Sequence, residues 1–102
     1  MNREEFLKHL IKNTEEDLAI VKVKNGDYAN GQDPFQNFRM VESIGLCSVE
    51  QGILVRMSDK MQRITNLLTR EAEVKDESIA DTLSDLRNYA NILQVYLEYG
   101  NE

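Results

Sequence analysis

Residues 48–69 read SVEQGILVRMSDKMQRITNLLT, and this stretch decides the fold. Ser48 followed three residues later by Gln51 is a capping box, in which each side chain bonds the other residue's backbone N–H at a helix start. Apolar side chains then recur every three or four residues, the spacing of a helix buried along one face. They are Ile53, Met57, Met61, Ile64 and Leu68. The stretch therefore predicts a long helix that ends near Thr69.

A second long helix is predicted over about residues 76–99, after a short charged link at residues 70–75. Gly100 supplies a typical helix stop. The apolar stripe of this helix consists of Ile79, Leu83, Leu86, Ala90, Leu93 and Leu97. Because the link is short, the two long helices are expected to pack antiparallel.

The first half of the chain predicts two more helices. One covers about residues 2–23, with Asn2 and Glu5 as its capping pair and Asn25-Gly26 as its end. A loop is expected up to Asp33, which caps a short helix with Pro34 in its first position. The apolar spacings of the two helices are Phe6, Leu7, Leu10, Ile11, Leu18 and Val21, and Phe35, Phe38, Val41 and Ile44. Residues 1–102 thus predict a single all-α domain of four helices.

Composition narrows the class of protein. The 102 residues carry 12 Lys and Arg against 18 Asp and Glu, a net charge of −6, which disfavours sequence-blind binding to nucleic acid. A single cysteine, Cys47, excludes a disulfide-stapled secreted domain. The longest aliphatic run, residues 53–55, is far shorter than the roughly 20 residues of a membrane span. We expect a soluble, cytoplasmic protein with no membrane partner.

A homo-oligomer, at least a dimer, is also expected. Helices of about 22 residues are roughly 33 Å long, too long for a monomer of this size to enclose. The last helix carries a second apolar strip beside its stripe, and a helix that is apolar on two sides must bury both. The strip consists of Tyr89, Ile92, Tyr96 and Tyr99. The third and fourth helices are therefore predicted to pack against a neighbouring chain.

Three cations share one face of the third helix. Arg56, Lys60 and Arg63 follow the spacing i, i+4, i+7, with Asp59 beside them. One interpretation is a solvated face with local ion pairs. The other is an anion site, because the forked donors of arginine match phosphate oxygens.

Three carboxylates share one face of the fourth helix. Glu77, Asp81 and Asp85 follow the spacing i, i+4, i+8, with Asn88 nearly one turn further. Such a stack repels itself unless something neutralises it. Mg²⁺ would do so, because it favours carboxylates, water and phosphate oxygens. The cations of the third helix would also do so, as a salt-bridge network between the helices.

Three segments together resemble the nucleotide-modification-associated domain family, small all-α proteins common in bacteriophages and prophages. They are residues 24–28 (KNGDY), 56–63 (RMSDKMQR) and 74–90 (VKDESIADTLSDLRNYA). The family is similar to the four-helix MazG-like nucleoside triphosphate pyrophosphohydrolases, which hold Mg²⁺ with Glu and Asp. The resemblance places Glu77 and Asp81 in the second acidic motif of those enzymes. Their first motif, Glu-x-x-Glu, is not matched, and Asp59 is the only carboxylate in residues 56–63.

The resemblance implies a nucleotide ligand, phage origin and a location in the host cytoplasm. We expect the ligand-binding residues to be Lys24, Asp27, Tyr28, Arg56, Lys60, Arg63 and Asn88. A Mg²⁺ ion would be held by Asp59, Glu77, Asp81 and Asp85. Three functions stay open. The first is a nucleotide-binding protein that acts on nucleotide pools or nucleotide modification, with or without Mg²⁺-dependent pyrophosphohydrolase activity. The second is a non-catalytic sponge that sequesters a nucleotide or cyclic-nucleotide immune signal, and the third is a structural or regulatory helical oligomer.

Overall fold

Four α-helices make up the described part of the chain. The computed structural model describes residues 1–29, 33–69 and 76–100, excluding the side chains of residues 26–29 and 76–78. The helices are α1 (Arg3–Ala29), α2 (Gln36–Ser43), α3 (Val49–Thr69) and α4 (Asp76–Tyr99). The described residues contain no strand, so the predicted all-α class is confirmed.

Helix α3 begins where its capping box predicts. The backbone N–H of Gln51 donates to Ser48 Oγ at 3.1 Å, and the backbone N–H of Ser48 donates to Gln51 Oε1 at 3.0 Å. These two bonds satisfy donors that have no partner inside the helix. The observed bounds of α3 and α4 match the prediction.

Helices α3 and α4 form the central pair. Lys60 of α3 contacts Asp85 of α4, with 3.4 Å between Nζ and Oδ2. Lys60 lies as far before the end of α3 at Thr69 as Asp85 lies after the start of α4 at Asp76. This is the register of an antiparallel hairpin.

Helix α1 is longer than the sequence indicates. It continues through Asn25 and Gly26 to Ala29, whereas these residues were expected to end it. A glycine inside a helix costs only about 0.5–1 kcal/mol relative to alanine. Contacts from this part of the helix offset that cost, because Asn25 Nδ2 donates to the carbonyl of Pro34 at 3.1 Å. The rest of the predicted loop, residues 30–32, lies outside the described residues.

Helix α2 begins at Gln36, slightly later than predicted. Asp33 was expected to cap it, but its side chain caps the preceding turn instead. Its Oδ1 accepts a hydrogen bond from the backbone N–H of Phe35 at 3.0 Å, while its Oδ2 accepts one from Arg39 Nε at 2.6 Å. At the other end the chain leaves α2 through Gly45, whose φ of 83° is the left-handed conformation that favours glycine.

The buried core lies among α2, α3 and α4. Among the described residues, the hydrophobic side chains that are buried are Phe35, Val49 and Ile53. Phe35 packs edge-on against Tyr96, with 5.2 Å between the ring centroids, and Phe38 packs edge-on against Tyr89. Two members of the strip expected to meet a partner chain therefore contact aromatic rings of the same chain.

The first half of α1 lies outside this core, and every residue from 1 to 16 is exposed. In the described ranges, no helix combines the length and apolar character that crossing a membrane requires.

Candidate functional site

Three helices bring charged side chains together at Asp85 of α4. Lys24 of α1 contacts Asp85 Oδ1 with its Nζ at 3.2 Å, and Lys60 of α3 contacts Oδ2 at 3.4 Å. Each carboxylate oxygen therefore faces a different ammonium group. We call Lys24, Lys60 and Asp85 the two-lysine site. Because two cations share one carboxylate, the site carries one positive charge in excess, in a chain whose net charge is −6.

A cavity of about 100 Å³ lies beside the two-lysine site, between α1, α2 and α4. Lys24 and Asp85 form part of its wall, so the charged pair stands at the cavity itself. The rest of the wall includes three amide side chains and two aromatic rings, from Asn25, Asn37, Asn88, Phe38 and Tyr89. Amides can donate and accept hydrogen bonds at the edge of a heterocycle, and aromatic rings can cover its face.

A second polar cluster joins α1 to α4, two turns before Lys24 on α1. The carboxylate of Asp17 accepts hydrogen bonds from Arg87 Nε at 2.5 Å, from Arg87 Nη2 at 3.0 Å and from Ser84 Oγ at 2.6 Å. Asn88 Nδ2 donates to the Asp17 carbonyl at 3.1 Å. We call these four residues the Asp17 cluster. Asn88 belongs to the cluster and also lines the cavity, so the cluster fixes one wall of the candidate site.

The electrostatics of the Asp17 cluster follow from its geometry. The hydrogen bond from Arg87 lowers the pKa of the Asp17 carboxyl, and this effect outweighs burial, which acts in the opposite direction. The same hydrogen bond raises the pKa of Arg87. Both groups are therefore charged at neutral pH. Asp17 is 5% exposed, so this carboxylate is committed to its partners in the fold.

Some of the residues predicted to bind a ligand lie close together in the structure. Lys24 and Asn88 line one cavity, and Lys60 reaches Asp85 at its edge. Arg56 and Arg63 lie on the same helix as Lys60, one turn to either side, and both are exposed. Lys24 belongs to a helix rather than to the expected loop. The side chains of Asp27 and Tyr28, also expected at this site, lie outside the described residues.

The predicted magnesium ligands are only partly described. The side chain of Glu77 lies outside the described residues, and Asp59 and Asp81 are exposed. Asp81 borders a different pocket, which also contains Arg87. Within the described residues no group of three or more His, Cys, Asp or Glu side chains could hold a metal ion. At Asp85 the described side chains do not fit Mg²⁺, because an ammonium group faces each carboxylate oxygen. A magnesium site that includes Glu77 stays a prediction.

Asp17, Ser84 and Arg87 are not among the site residues predicted from the sequence. A signal for Asp17 was present: it lies seven residues after Leu10 and four before Val21, so an acidic residue interrupts the apolar stripe of α1. A charge at a stripe position indicates a buried pair. Its partners lie 67 to 71 residues further along the chain. Nothing local in the sequence identifies them.

Comparisons of the chain with protein-family models, with curated proteins and with solved structures gave no match. The geometry of the two-lysine site and its cavity is therefore the basis on which a function can be assigned.

Proposed function

We propose that this protein binds a nucleotide, with the phosphates at the two-lysine site and the base directed to the neighbouring cavity. The observation that carries the proposal is the position of Lys24 and Lys60, which hold two ammonium groups on one carboxylate at the edge of the cavity. A phosphate group can replace Asp85 as the partner of one of the two lysines, because it offers more acceptor oxygens and more negative charge than a carboxylate.

The size of the cavity supports this division of the ligand. Sites that enclose a whole ligand of drug size have about 300–1,000 Å³, whereas this cavity has about 100 Å³. A heterocyclic base could enter it in part, between the amides of Asn37 and Asn88 and the ring of Tyr89. The phosphates would then lie outside, near the solvent. A longer phosphate chain would extend along α3 towards Arg56 or Arg63.

Binding without hydrolysis fits this geometry best. Asp85 is the described carboxylate nearest to the proposed phosphate position, and Lys24 and Lys60 both neutralise it. The proposed function is thus that of a nucleotide sponge. The protein would sequester a nucleotide or cyclic-nucleotide signal in the cytoplasm of a host cell during phage infection. The resemblance to the nucleotide-modification-associated domains supports this setting.

The test is thermal unfolding of the full chain with a panel of nucleoside triphosphates and cyclic nucleotides, followed by calorimetric titration of those that stabilise it. A ligand at 100 times its dissociation constant adds about 2.7 kcal/mol to the free energy of unfolding. Lys24→Ala and Lys60→Ala should each weaken binding by about 1.5–3 kcal/mol, the range for a hydrogen bond to a charged group. Lys12→Ala is the matched control, because it removes the same charge from an exposed position on α1.

The outcomes separate the three functions. Ligand that is recovered intact after incubation with Mg²⁺ supports the sponge. Ligand cleaved between the α- and β-phosphates supports the pyrophosphohydrolase, with Glu77 and Asp81 as candidate ligands for the metal. If no nucleotide binds, or if Lys24→Ala and Lys60→Ala bind as tightly as Lys12→Ala, the proposed site is wrong.

A further inference from the structure

The first half of α1 is an apolar helix surface exposed to solvent. Its large hydrophobic side chains are between 40% and 58% exposed, and they are Phe6, Leu7, Leu10 and Ile11. Exposed ion pairs lie elsewhere on the helix, between Lys8 and Glu4 at 3.8 Å and between Lys12 and Glu16 at 3.9 Å. The helix is therefore amphipathic in a part that has no buried residue. An apolar helix face of this kind is typical of an interaction surface.

The same apolar stripe continues into a groove of the folded chain. Leu7, Ile11, Leu18 and Val21 follow spacings of four, seven and three residues, which place them on one face of α1. Leu18 and Val21 line an open groove of about 870 Å³ between α1 and α4. Apolar side chains of the other elements that form the groove are Phe35, Ala90, Ile92 and Val95. One helix thus carries both a bare apolar surface and one wall of an apolar groove.

The chain has a larger solvent-accessible surface than a typical folded monomer of the same mass. Its accessible surface is 7984 Å², whereas a folded monomer of 11.8 kDa exposes about 5,900 Å². Its radius of gyration is 15.7 Å, against about 12.8 Å for a compact domain of this length. The excess is roughly 2,000 Å² per chain, more than the roughly 800 Å² that each partner buries in an interface of standard size.

We propose that a second copy of this chain occupies the groove. The first half of α1 from one copy packs between α1 and α4 of the other, and the exchange is reciprocal about a two-fold axis. A second copy fits because the chain carries both the projecting apolar surface and the groove, so one two-fold contact buries both. This interface uses α1 in place of the predicted α3. Ile92 of the predicted strip lines the groove, whereas Tyr89 and Tyr96 contact Phe38 and Phe35 of the same chain. Lys24 and Lys60 lie outside the groove, whereas Val21, Asn25 and Asn88 line both the groove and the cavity of the proposed nucleotide site, so the two sites adjoin.

Sedimentation velocity of the full chain at micromolar concentration tests the proposal. The expected mass is twice the 11.8 kDa of one chain. Ile11→Asp changes the projecting surface and Val95→Asp changes the groove, and each variant should sediment as a monomer with unchanged helical circular dichroism. The matched controls are Val23→Asp on α1 and Leu68→Asp on α3. Both controls introduce the same charge at apolar positions that are at least as exposed, and both should stay dimeric.

Three results would overturn the proposal. The first is a wild-type chain that is monomeric at these concentrations. The second is a dimer that survives Ile11→Asp or Val95→Asp. The third is a dimer that Leu68→Asp dissociates while Ile11→Asp does not, which would place the interface on α3. Nucleotide binding is measured separately with Lys24→Ala and Lys60→Ala, because these two side chains do not line the groove.

Discussion

The guanidinium of Arg87 on α4 donates two hydrogen bonds to the carboxylate of Asp17 on α1, from Nε at 2.5 Å and from Nη2 at 3.0 Å. Asp17 is buried, whereas the side chain of Arg87 is 42% exposed. The pair thus joins the two helices at the border between the core and the solvent. A bidentate pair of this kind restricts the orientation of both helices more than a single hydrogen bond would.

We expect Asp17→Ala to lower the free energy of unfolding by about 1–3 kcal/mol, because the substitution leaves the buried Ser84 hydroxyl and the Arg87 guanidinium without their acceptor. Urea denaturation at neutral pH measures the loss. Glu16→Ala is the control, since it removes a neighbouring carboxylate whose exposed ion pair with Lys12 is worth only a few tenths of a kcal/mol. Equal losses for the two variants would contradict a structural role for the Asp17 cluster.

The stability of the chain should fall at acidic pH because of Asp17. Its pKa is lowered in the folded chain, chiefly by the hydrogen bond from Arg87, so below the ordinary value of about 3.9 the unfolded chain binds more protons than the folded one. The contribution is fully present above that value and is lost as the pH falls through the lowered pKa. Comparison of wild type with Asp17→Asn by urea denaturation from pH 7 to pH 3 measures it. The difference should be constant above about pH 5 and shrink below about pH 4; a difference that grows with acidity would contradict the assignment.

The α3 cap offers a local test. Ser48→Ala removes the Oγ that accepts the backbone N–H of Gln51, and loss of such a cap costs about 1 kcal/mol. Ser58→Ala is the matched control, because Ser58 is exposed inside the same helix and its hydroxyl donates only to a carbonyl of the preceding turn. Urea denaturation should show a clear loss for Ser48→Ala and a loss or gain below about 0.5 kcal/mol for Ser58→Ala.

How much of this fold the sequence predicts depends on the range of each interaction. The capping box of Ser48 and Gln51 works within one turn, so both the start of α3 and its hydrogen bonds were predicted correctly. The end of α1 was not, because the glycine signal at Gly26 is weak and contacts such as that of Asn25 with Pro34 act across the connection to α2. Local signals predict the helices better than they predict the points where tertiary contacts extend them.

The candidate site shows the same division. The charged faces of α3 and α4 predicted that Lys60 and Asp85 would be candidates, and the structure brings these two side chains together with Lys24. The sequence could not predict that both lysines would contact the same carboxylate. Side-chain spacing shows which residues share a face of a helix, but it does not show how that helix is rotated about its axis relative to its neighbours. The Asp17 cluster depends wholly on that rotation.

Phe35 should be among the most sensitive positions in the chain. It is buried, its ring packs against Tyr96, and the guanidinium of Arg39 lies 5.7 Å from the centroid of each ring. Phe35→Ala should cost about 3–5 kcal/mol, the range for removing a buried aromatic side chain, and Phe35→Leu should cost less. Ile44→Ala, at an exposed apolar position, is the control and should change the thermal midpoint little. A small effect of Phe35→Ala would mean that α2 contributes little to the core.

Asp85 distinguishes a cation site from a metal site. In the proposed function its carboxylate competes with the ligand for Lys24 and Lys60, so Asp85→Asn should free both ammonium groups and remove a charge that repels phosphate. The expected result is tighter nucleotide binding, by about tenfold, which corresponds to about 1.4 kcal/mol and lies within the range of one charge at short distance. Calorimetric titration in the absence of Mg²⁺ measures the change.

Asp81→Asn is the matched control for this experiment. It removes the same charge one turn away on α4, at a side chain that borders a different pocket, so it should tighten binding much less. If Asp85 is a magnesium ligand instead, Asp85→Asn should weaken Mg²⁺-dependent binding and abolish any cleavage. If Asp85→Asn binds nucleotide more weakly in the absence of Mg²⁺, the proposal is also contradicted. The Asp85 carboxylate would then contact the ligand itself, as a hydrogen-bond acceptor for the amino group of a base.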